Sequence, residues 1–248
     1  MKAWQIFIHS LRQVIGNIGV ALRVSAVPFA VLLVVGAGLG GLFLSAQMSS
    51  GATDASGMIW LALLVVFYVV VLMTVAVNWH RFVLMNEPVG WLPRFHGDRV
   101  VAYFLRGLIV SLVLLGIGLV LFLPVIFFGG AMGEPSALAV IVMIPIILLL
   151  ATVGWRLSAA MPGAALEGGG GLADAWAATR GEWPTLLALT GIYFVASFVL
   201  SVIAAVLILI PVLGFLVQIA VNWLMMMVGL SVLTTLYGHY IEKRQLVA

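Results

Sequence analysis

Six runs of apolar residues set the terms on which this chain can fold. They cover residues 24–46, 58–79, 100–128, 137–159, 186–210 and 215–237. Each reaches the roughly 20 residues that a helix needs to cross a bilayer. Among them only Arg106 and Arg156 carry full charge, and both sit near a run's end. A helix satisfies its own backbone hydrogen bonds, so runs like these are stable in hydrocarbon only as helices. The fifth and sixth are separated by Pro211-Val-Leu-Gly214, read as a tight turn, because one merged helix would overshoot any bilayer. The expected fold is therefore all-α, a single integral membrane domain over residues 1–248, with six spans arranged as three hairpins.

Composition agrees with that reading. Of 248 residues, 65% are hydrophobic and 8% charged, against about 25% charged in soluble domains. So little charge cannot coat a water-facing surface. The chain has no cysteine, which excludes disulfides and thiolate chemistry. Residues 1–17 lack the short apolar core and small-residue cleavage site of a secretory signal, so none is expected.

Charge placement gives the orientation. The 11 basic residues fall at the two termini or in and beside the second-to-third and fourth-to-fifth connections. The alternate connections carry only the acids Asp54 and Glu134. By the positive-inside rule both termini and the two basic connections are expected on the cytoplasmic side. The excess of positive charge points to anionic phospholipid head groups rather than to nucleic acid.

Three basic, aromatic segments precede the hairpins, suggesting a faint internal repeat. In the first, residues 1–23, helical spacing puts Trp4, Phe7, Ile8, Leu11, Val14, Ile15 and Ile18 on one side, with Ile6 as a misfit. Gln5, His9, Arg12, Gln13, Gly16 and Asn17 take the other. This is an amphipathic interfacial helix whose apolar face meets either lipid or the bundle. In the second, Arg99, Tyr103 and Arg106 share a face at i, i+4 and i+7, with Asp98 as N-cap. They form a candidate clamp for a lipid phosphate, or else ordinary snorkelling arginines beside an aromatic belt. In the third, 172–183, Leu172, Trp176 and Trp183 form a stripe on a short interfacial helix. Arg180 flanks it and Pro184 opens the next span.

Reactive constellations are not visible. His9, His80, His96 and His239 show no H-x-x-x-H or H-E-x-x-H spacing, so no metal site is expected. The acids are scattered, no nucleophile motif appears, and no catalytic residue or cofactor is assigned. The run Gly168–Gly171 lacks the preceding strand and following Lys-Ser/Thr of a phosphate-binding loop, and reads as a flexible hinge. Inside the spans the deep polar residues are Gln218 and Asn222. Asn222 is expected to bond across to another helix; together the pair offers a pathway for a neutral or lipid-like solute. Glycines at 36, 38, 40, 41, 116 and 118 suit close helix packing, within the bundle or against a partner.

Four stretches resemble a family of multi-pass inner-membrane proteins of alphaproteobacteria. They are residues 4–17 (Trp4-Gln-Ile-Phe-Ile-His-Ser-Leu-Arg-Gln-Val-Ile-Gly-Asn17), Trp155-Arg-Leu-Ser-Ala-Ala-Met-Pro162, Ala175-Trp-Ala-Ala-Thr-Arg-Gly-Glu-Trp183 and Leu233-Thr-Thr-Leu-Tyr-Gly-His-Tyr-Ile-Glu242. More distantly the pattern is similar to the YciC-type family and to the membrane domain of glycerophosphoryl diester phosphodiesterases. The resemblance implies a six-span helical protein of a bacterial inner membrane without an attached phosphodiesterase barrel, and brings no catalytic residue. The functional expectation is a non-catalytic protein that binds lipid and organises the membrane, or an accessory subunit of a larger complex or homo-oligomer. The alternative is a transporter or channel for a neutral or lipid-like solute.

Overall fold

A computed structural model of the chain describes residues 1–50, 55–130, 137–167, 169–208 and 210–246. Among the described residues the regular elements are all helical. They are α1 (Lys2–Gly16), α2 (Ile18–Ser50), α3 (Ala55–Met85), α4 (Gly97–Gly130), α5 (Ala137–Ser158), α6 (Met161–Ala165), α7 (Leu172–Ala178), α8 (Trp183–Leu207) and α9 (Pro211–Leu236). A π-helical turn, Tyr237–Ile241, extends α9. Six segments are long and apolar enough to cross a membrane: Ile18–Met48, Gly57–Met85, Gly97–Phe127, Ile141–Ala165, Trp183–Leu207 and Val212–Ile241. The protein is an all-α, multi-pass membrane protein, as the six apolar runs require. Asp54, Glu134 and Gly168 lie outside the described residues.

The chain divides into two compact units. One comprises Asn17–Phe104. Its centre is the α2–α3 hairpin, two apolar helices packed along their length. The 11-residue connection 86–96 and the first turns of α4 complete it. Gly36 meets the Leu64 side chain at van der Waals distance, whereas Gly38, Gly40 and Gly41 face open space. The glycine-rich face of α2 is therefore not a tight seam at those three positions.

The other unit comprises Met1–Gly16 with Leu105–Ala248. Here α8 and α9 form a hairpin, α1 lies against both, and α5 packs on α8. The helices α4 and α5 meet where Leu114 of α4 lies beside Gly154 and Leu150 of α5 lies beside Gly118.

Several boundaries differ from the sequence reading. The first amphipathic helix ends at Gly16, not 23; Asn17 breaks it and its carbonyl accepts from the amides of Val20 and Ala21. Residues 172–183 are not one helix. The helix stops at Ala178, and Gly181, in the left-handed region at φ 81°, completes the turn into α8. Glycine adopts that conformation without the penalty a Cβ imposes. The turn between the last two spans lies before Pro211, which stands in the first turn of α9, where its missing N–H costs nothing. Pro184 opens α8 in the same way, as its position suggested. Asp98 is not an N-cap: it lies in the first turn of α4, and the His96 carbonyl accepts the Val100 amide. There its charge still complements the helix dipole.

The buried face of α1 also differs from the one the spacing suggested. Ala3, Ile6, Phe7, Ser10 and Val14 are buried, with Ile6 at 0% exposure, while Trp4 is 53% and Ile15 56% exposed. At about 100° per residue these form two apolar faces roughly a right angle apart. The apparent misfit, Ile6, belongs to the protein-facing stripe, at its edge away from Trp4. Trp4, Ile15 and the following Ile18 look outward.

Candidate functional site

The end of the second unit that carries α6, α7 and the first turn of α8 gathers most of the chain's unusual polar chemistry. Its centre is Arg156, in the last turn of α5 and only 3% exposed. The guanidinium Nε donates to Thr179 Oγ1 at 3.0 Å, and Nη2 donates to the Trp176 carbonyl at 2.9 Å. Its plane lies over the Trp176 ring at 3.7 Å, and over Trp183 at 5.0 Å. Trp176 and Trp183 are thus brought together, as their stripe suggested, but by an arginine from another helix rather than by one continuous helix. Both rings stay partly exposed.

Thr179 ends α7 and is itself oriented by donating to the Ala175 carbonyl at 2.8 Å. At the other end of this short helix, Asp174 Oδ2 accepts the Gly171 amide at 2.7 Å. Arg180 follows Thr179 directly and is exposed. Next along the chain, Glu182 pairs with Lys2 Nζ of α1 at 2.7 Å. That bond holds the Glu182 carboxyl below its ordinary range, against the opposing effect of burial.

Arg106 does a comparable job for the glycine run. Its Nη1 donates to the carbonyls of Ala160 (2.8 Å) and Gly170 (2.9 Å). Gly169 lies so close to Gly163 that a Cβ at either position would strike the other strand of backbone or, at Gly163, the Tyr237 ring. Described residues 169–171 are therefore clamped, which corrects the expectation of a flexible hinge. The glycines serve close backbone approach rather than freedom of movement.

The other unit holds Arg99 and Tyr103. Tyr103 is buried, and its hydroxyl lies 3.2 Å from His80 Nε2, which is fully buried. Arg99 Nε sits 2.8 Å from Asp98, an exposed pair of the kind worth little. The three members of the supposed phosphate clamp, Arg99, Tyr103 and Arg106, are thus each engaged with a different protein partner. In the connection 86–96, Glu87 is a hub. Arg81 Nε bonds it at 2.5 Å, His96 Nε2 lies at 3.2 Å and Arg94 Nη1 at 3.8 Å. Asn78 Nδ2 donates to the Arg94 carbonyl at 3.0 Å. A pocket of about 220 Å³ opens among Asn78, Glu87, Gly90 and Arg94. Burial raises the Glu87 pKa, but the Arg81 hydrogen bond and the charges of Arg81, His96 and Arg94 outweigh it, so the carboxyl lies below its ordinary range.

Gln218 and Asn222 bond to each other along α9, Nε2 to Oδ1 at 3.2 Å, and Asn222 is exposed. Asn222 does not bond across to a second helix among the described residues, contrary to expectation. The cross-helix bonds come from other residues. Thr152 and Thr190 hydroxyls meet at 3.1 Å between α5 and α8. Tyr193 donates to the Met225 carbonyl at 3.0 Å between α8 and α9. Ser10 donates to Thr235 at 2.9 Å, and Ser231 to Gln13 at 2.6 Å, joining α1 to α9.

Arg12 stands exposed on the polar side of α1. Arg156 was not among the sequence candidates, although a signal existed. An arginine inside an apolar run is expensive and marks a site by default. Among the described residues no group of three His, Asp or Glu side chains stands ready to hold a metal ion. Comparison of the chain with protein-family models, curated proteins and solved structures returns no match.

Proposed function

We propose that the chain is a non-catalytic, multi-pass protein of a bacterial inner membrane that binds anionic lipid. In this reading it organises the membrane around it or serves as an accessory subunit of a larger complex. The observation that carries it is the two-faced apolar surface of α1. One stripe is fixed on α8 and α9 through Ile6, Phe7 and the Ser10–Thr235 bond. The second, with Trp4 and Ile15, is exposed beside the charge of Arg12. A helix anchored on protein by one face, with an aromatic and aliphatic face beside a cation, suits the head-group boundary of an anionic leaflet. The distribution of basic residues supports a cytoplasmic side for this face and both termini.

The polar histidines and acids that a catalytic role would draw on, such as His80 and Glu87, are engaged in holding the fold. The exposed Gln218–Asn222 pair supports a partner helix, because exposed amides in hydrocarbon gain by bonding to another chain. The same pair carries the second reading, passage of a neutral or lipid-like solute. Reconstituted flux that disappears in the Gln218→Leu, Asn222→Leu double variant supports passage over the accessory role.

The test of the main reading is extraction into native nanodiscs, followed by lipid mass spectrometry and native electrophoresis. Co-purifying anionic lipid, with or without a partner chain, is expected. A lone monomer with no enriched lipid refutes it. Because the chain has no cysteine, single-cysteine variants at Arg12 and in the 86–96 connection report orientation directly. Labelling of either from outside intact cells refutes the cytoplasmic placement.

A further inference from the structure

A positive charge is buried at the junction of α5, α7 and α8 without an acid. The partners of Arg156 are a hydroxyl, a carbonyl and two indole faces, all neutral. The exposed Arg180 directly follows Thr179, which accepts from Arg156 Nε, so the two cations share one corner of the fold. Among the described residues, neither arginine has a carboxylate within salt-bridge distance. The acids that flank Arg180 in sequence are committed elsewhere, Asp174 to the Gly171 amide and Glu182 to Lys2. Two cations with no counter-charge, at the edge of a low-dielectric region, raise the local potential and favour an anion there.

From the same helices a groove of about 430 Å³ opens between α5, α8 and α9. Ala151, Gly154 and Trp155 form one wall, Thr190 and Phe194 the second, and Leu230 the third. Trp183, Thr190 and Phe194 stand at i, i+7 and i+11, so they share one face of α8. On α8 its wall therefore begins about 10 Å along the helix from Trp183, while on α5 Trp155 and Ser158 bring it to the level of Arg156. Two of its hydroxyls are satisfied, Thr190 by Thr152 and Tyr193 by the Met225 carbonyl, and the rest of the wall is apolar apart from Ser158 and the Trp155 indole. A peptide laid in it would find few partners for its backbone. An alkyl chain needs none.

We infer that this is a binding site for one anionic glycerophospholipid. Its phosphate meets Arg180 on the shelf made by Trp176 and Trp183, and one acyl chain lies in the groove. Charge complementarity at one end and apolar walls at the other select an amphiphile with a net negative head. A zwitterionic head would bring a second cation to an already cationic corner. Arg156 is a positioning residue: it fixes both indoles and supplies uncompensated charge, while Arg180 makes the contact. The inference rests on the lipid-binding reading above and gives it a place.

The test is native mass spectrometry of the detergent-solubilised full chain, titrated with phosphatidylglycerol and phosphatidylcholine of the same acyl composition. The expected result is one tightly held phosphatidylglycerol, preferred over phosphatidylcholine by about tenfold. Arg180→Ala removes the preference, whereas Lys243→Ala, which removes the same charge elsewhere, preserves it. Ala151→Phe, which fills the groove, weakens both lipids. A second measurement does not depend on the filled variant folding. Phosphatidylglycerol brominated along its acyl chains quenches tryptophan emission, and Trp155→Phe removes a distinct part of that quenching. Glycerol phosphate, which has the head but no tail, fails to displace the lipid; displacement by it overturns the acyl-groove assignment. If wild type retains anionic lipid but Arg180→Ala retains it equally and Trp155→Phe changes no quenching, this site is wrong while lipid binding stands. If wild type retains no lipid at all, the broader reading fails with it.

Discussion

Replacing Arg156 should release α7 before it harms the rest of the protein. The side chain makes two hydrogen bonds from a charged donor, each worth about 1.5–3 kcal/mol net. It also makes a close cation–π contact with Trp176 and a longer one with Trp183, worth about 0.5–2 kcal/mol. Against this, Arg156→Met removes a charge that is costly to bury, a relief of a few kcal/mol. Methionine also fills much of the space. The net global cost should therefore be small, on the order of 1 kcal/mol, within the range of ordinary core substitutions. The local cost is larger, because Thr179 and the Trp176 carbonyl are the direct ties from α5 to α7 that Arg156 supplies. Losing both should cost the docking of residues 172–182 about 3 kcal/mol, or roughly a hundredfold in the local opening equilibrium. Hydrogen exchange resolved by peptide is the assay. Amides of Ala175, Thr179 and Glu182 should exchange about a hundredfold faster, with little change in α8 and α9. Arg156→Lys is the sharper variant, since it retains charge but cannot bond through Nε and Nη2 together or stack as a plane. Unchanged exchange at 172–182 in both variants would show that α7 is held by its apolar contacts alone, and would refute the reasoning.

Four further outcomes follow from named contacts. Ile6→Asp buries a carboxylate at a fully enclosed position and should abolish stable folding, while Ile15→Asp should leave melting nearly unchanged and weaken only membrane partition of an α1 peptide fused to a soluble reporter; equal effects on melting would refute the two-faced assignment. The Glu87 carboxyl is held below its ordinary pKa, so its contribution is fully present above the unfolded-state value near 4.5 and disappears as pH falls through the lower folded value; proteolysis of the 86–96 connection should rise only in that acid window, and Glu87→Gln should reproduce the rise at pH 7. Gly163→Ala forces a Cβ to within 3.0 Å of the Gly170 carbonyl oxygen and the Tyr237 ring, and should lower stability by about 1–3 kcal/mol in thermal or denaturant unfolding; a neutral result would mean that the glycine run is not clamped. The Gln218→Leu, Asn222→Leu double variant removes both partners of one exposed bond and should leave monomer melting within about 0.5 kcal/mol of wild type; on native gels it should lose any larger species.

The membrane architecture was legible because lipid leaves a chain few options: a 22-residue run without charge, such as 58–79, has no soluble alternative. What escaped the sequence was the partner each side chain chose. Residues on α1 can be sorted by hydrophobicity, but periodicity does not distinguish burial in protein from burial in lipid, so Ile6 looked misplaced although it is fully buried against protein. Trp176 and Trp183 were correctly paired, yet the reason lay about 20 residues upstream in Arg156. The glycine run gave no sign that it would be pressed against Gly163 and held by Arg106. Those contacts are set by tertiary approach, which local pattern does not encode.

A consequence concerns how positive charge is used. By sequence alone, the arginines flanking the spans form a single class, cations waiting at head-group level. In the structure they divide. Arg106 and Arg156 spend their donors on backbone carbonyls and a hydroxyl, and Arg81 on Glu87. Arg23 lies over the Trp91 ring at 5.4 Å. These arginines fasten connections to helix ends, a task suited to a planar group with five donors. Arg12 and Arg180, exposed on the surface, are better placed for lipid phosphate. Neutralising Arg12 and Arg180 should therefore weaken binding to anionic vesicles by about 1 kcal/mol each without loosening the fold. Neutralising Arg106 and Arg156 should do the reverse, speeding hydrogen exchange at residues 160–182 while vesicle binding at matched folding falls by less. Equal losses of vesicle binding from both pairs would show that net charge alone governs attachment and that the structural division of labour has no functional counterpart.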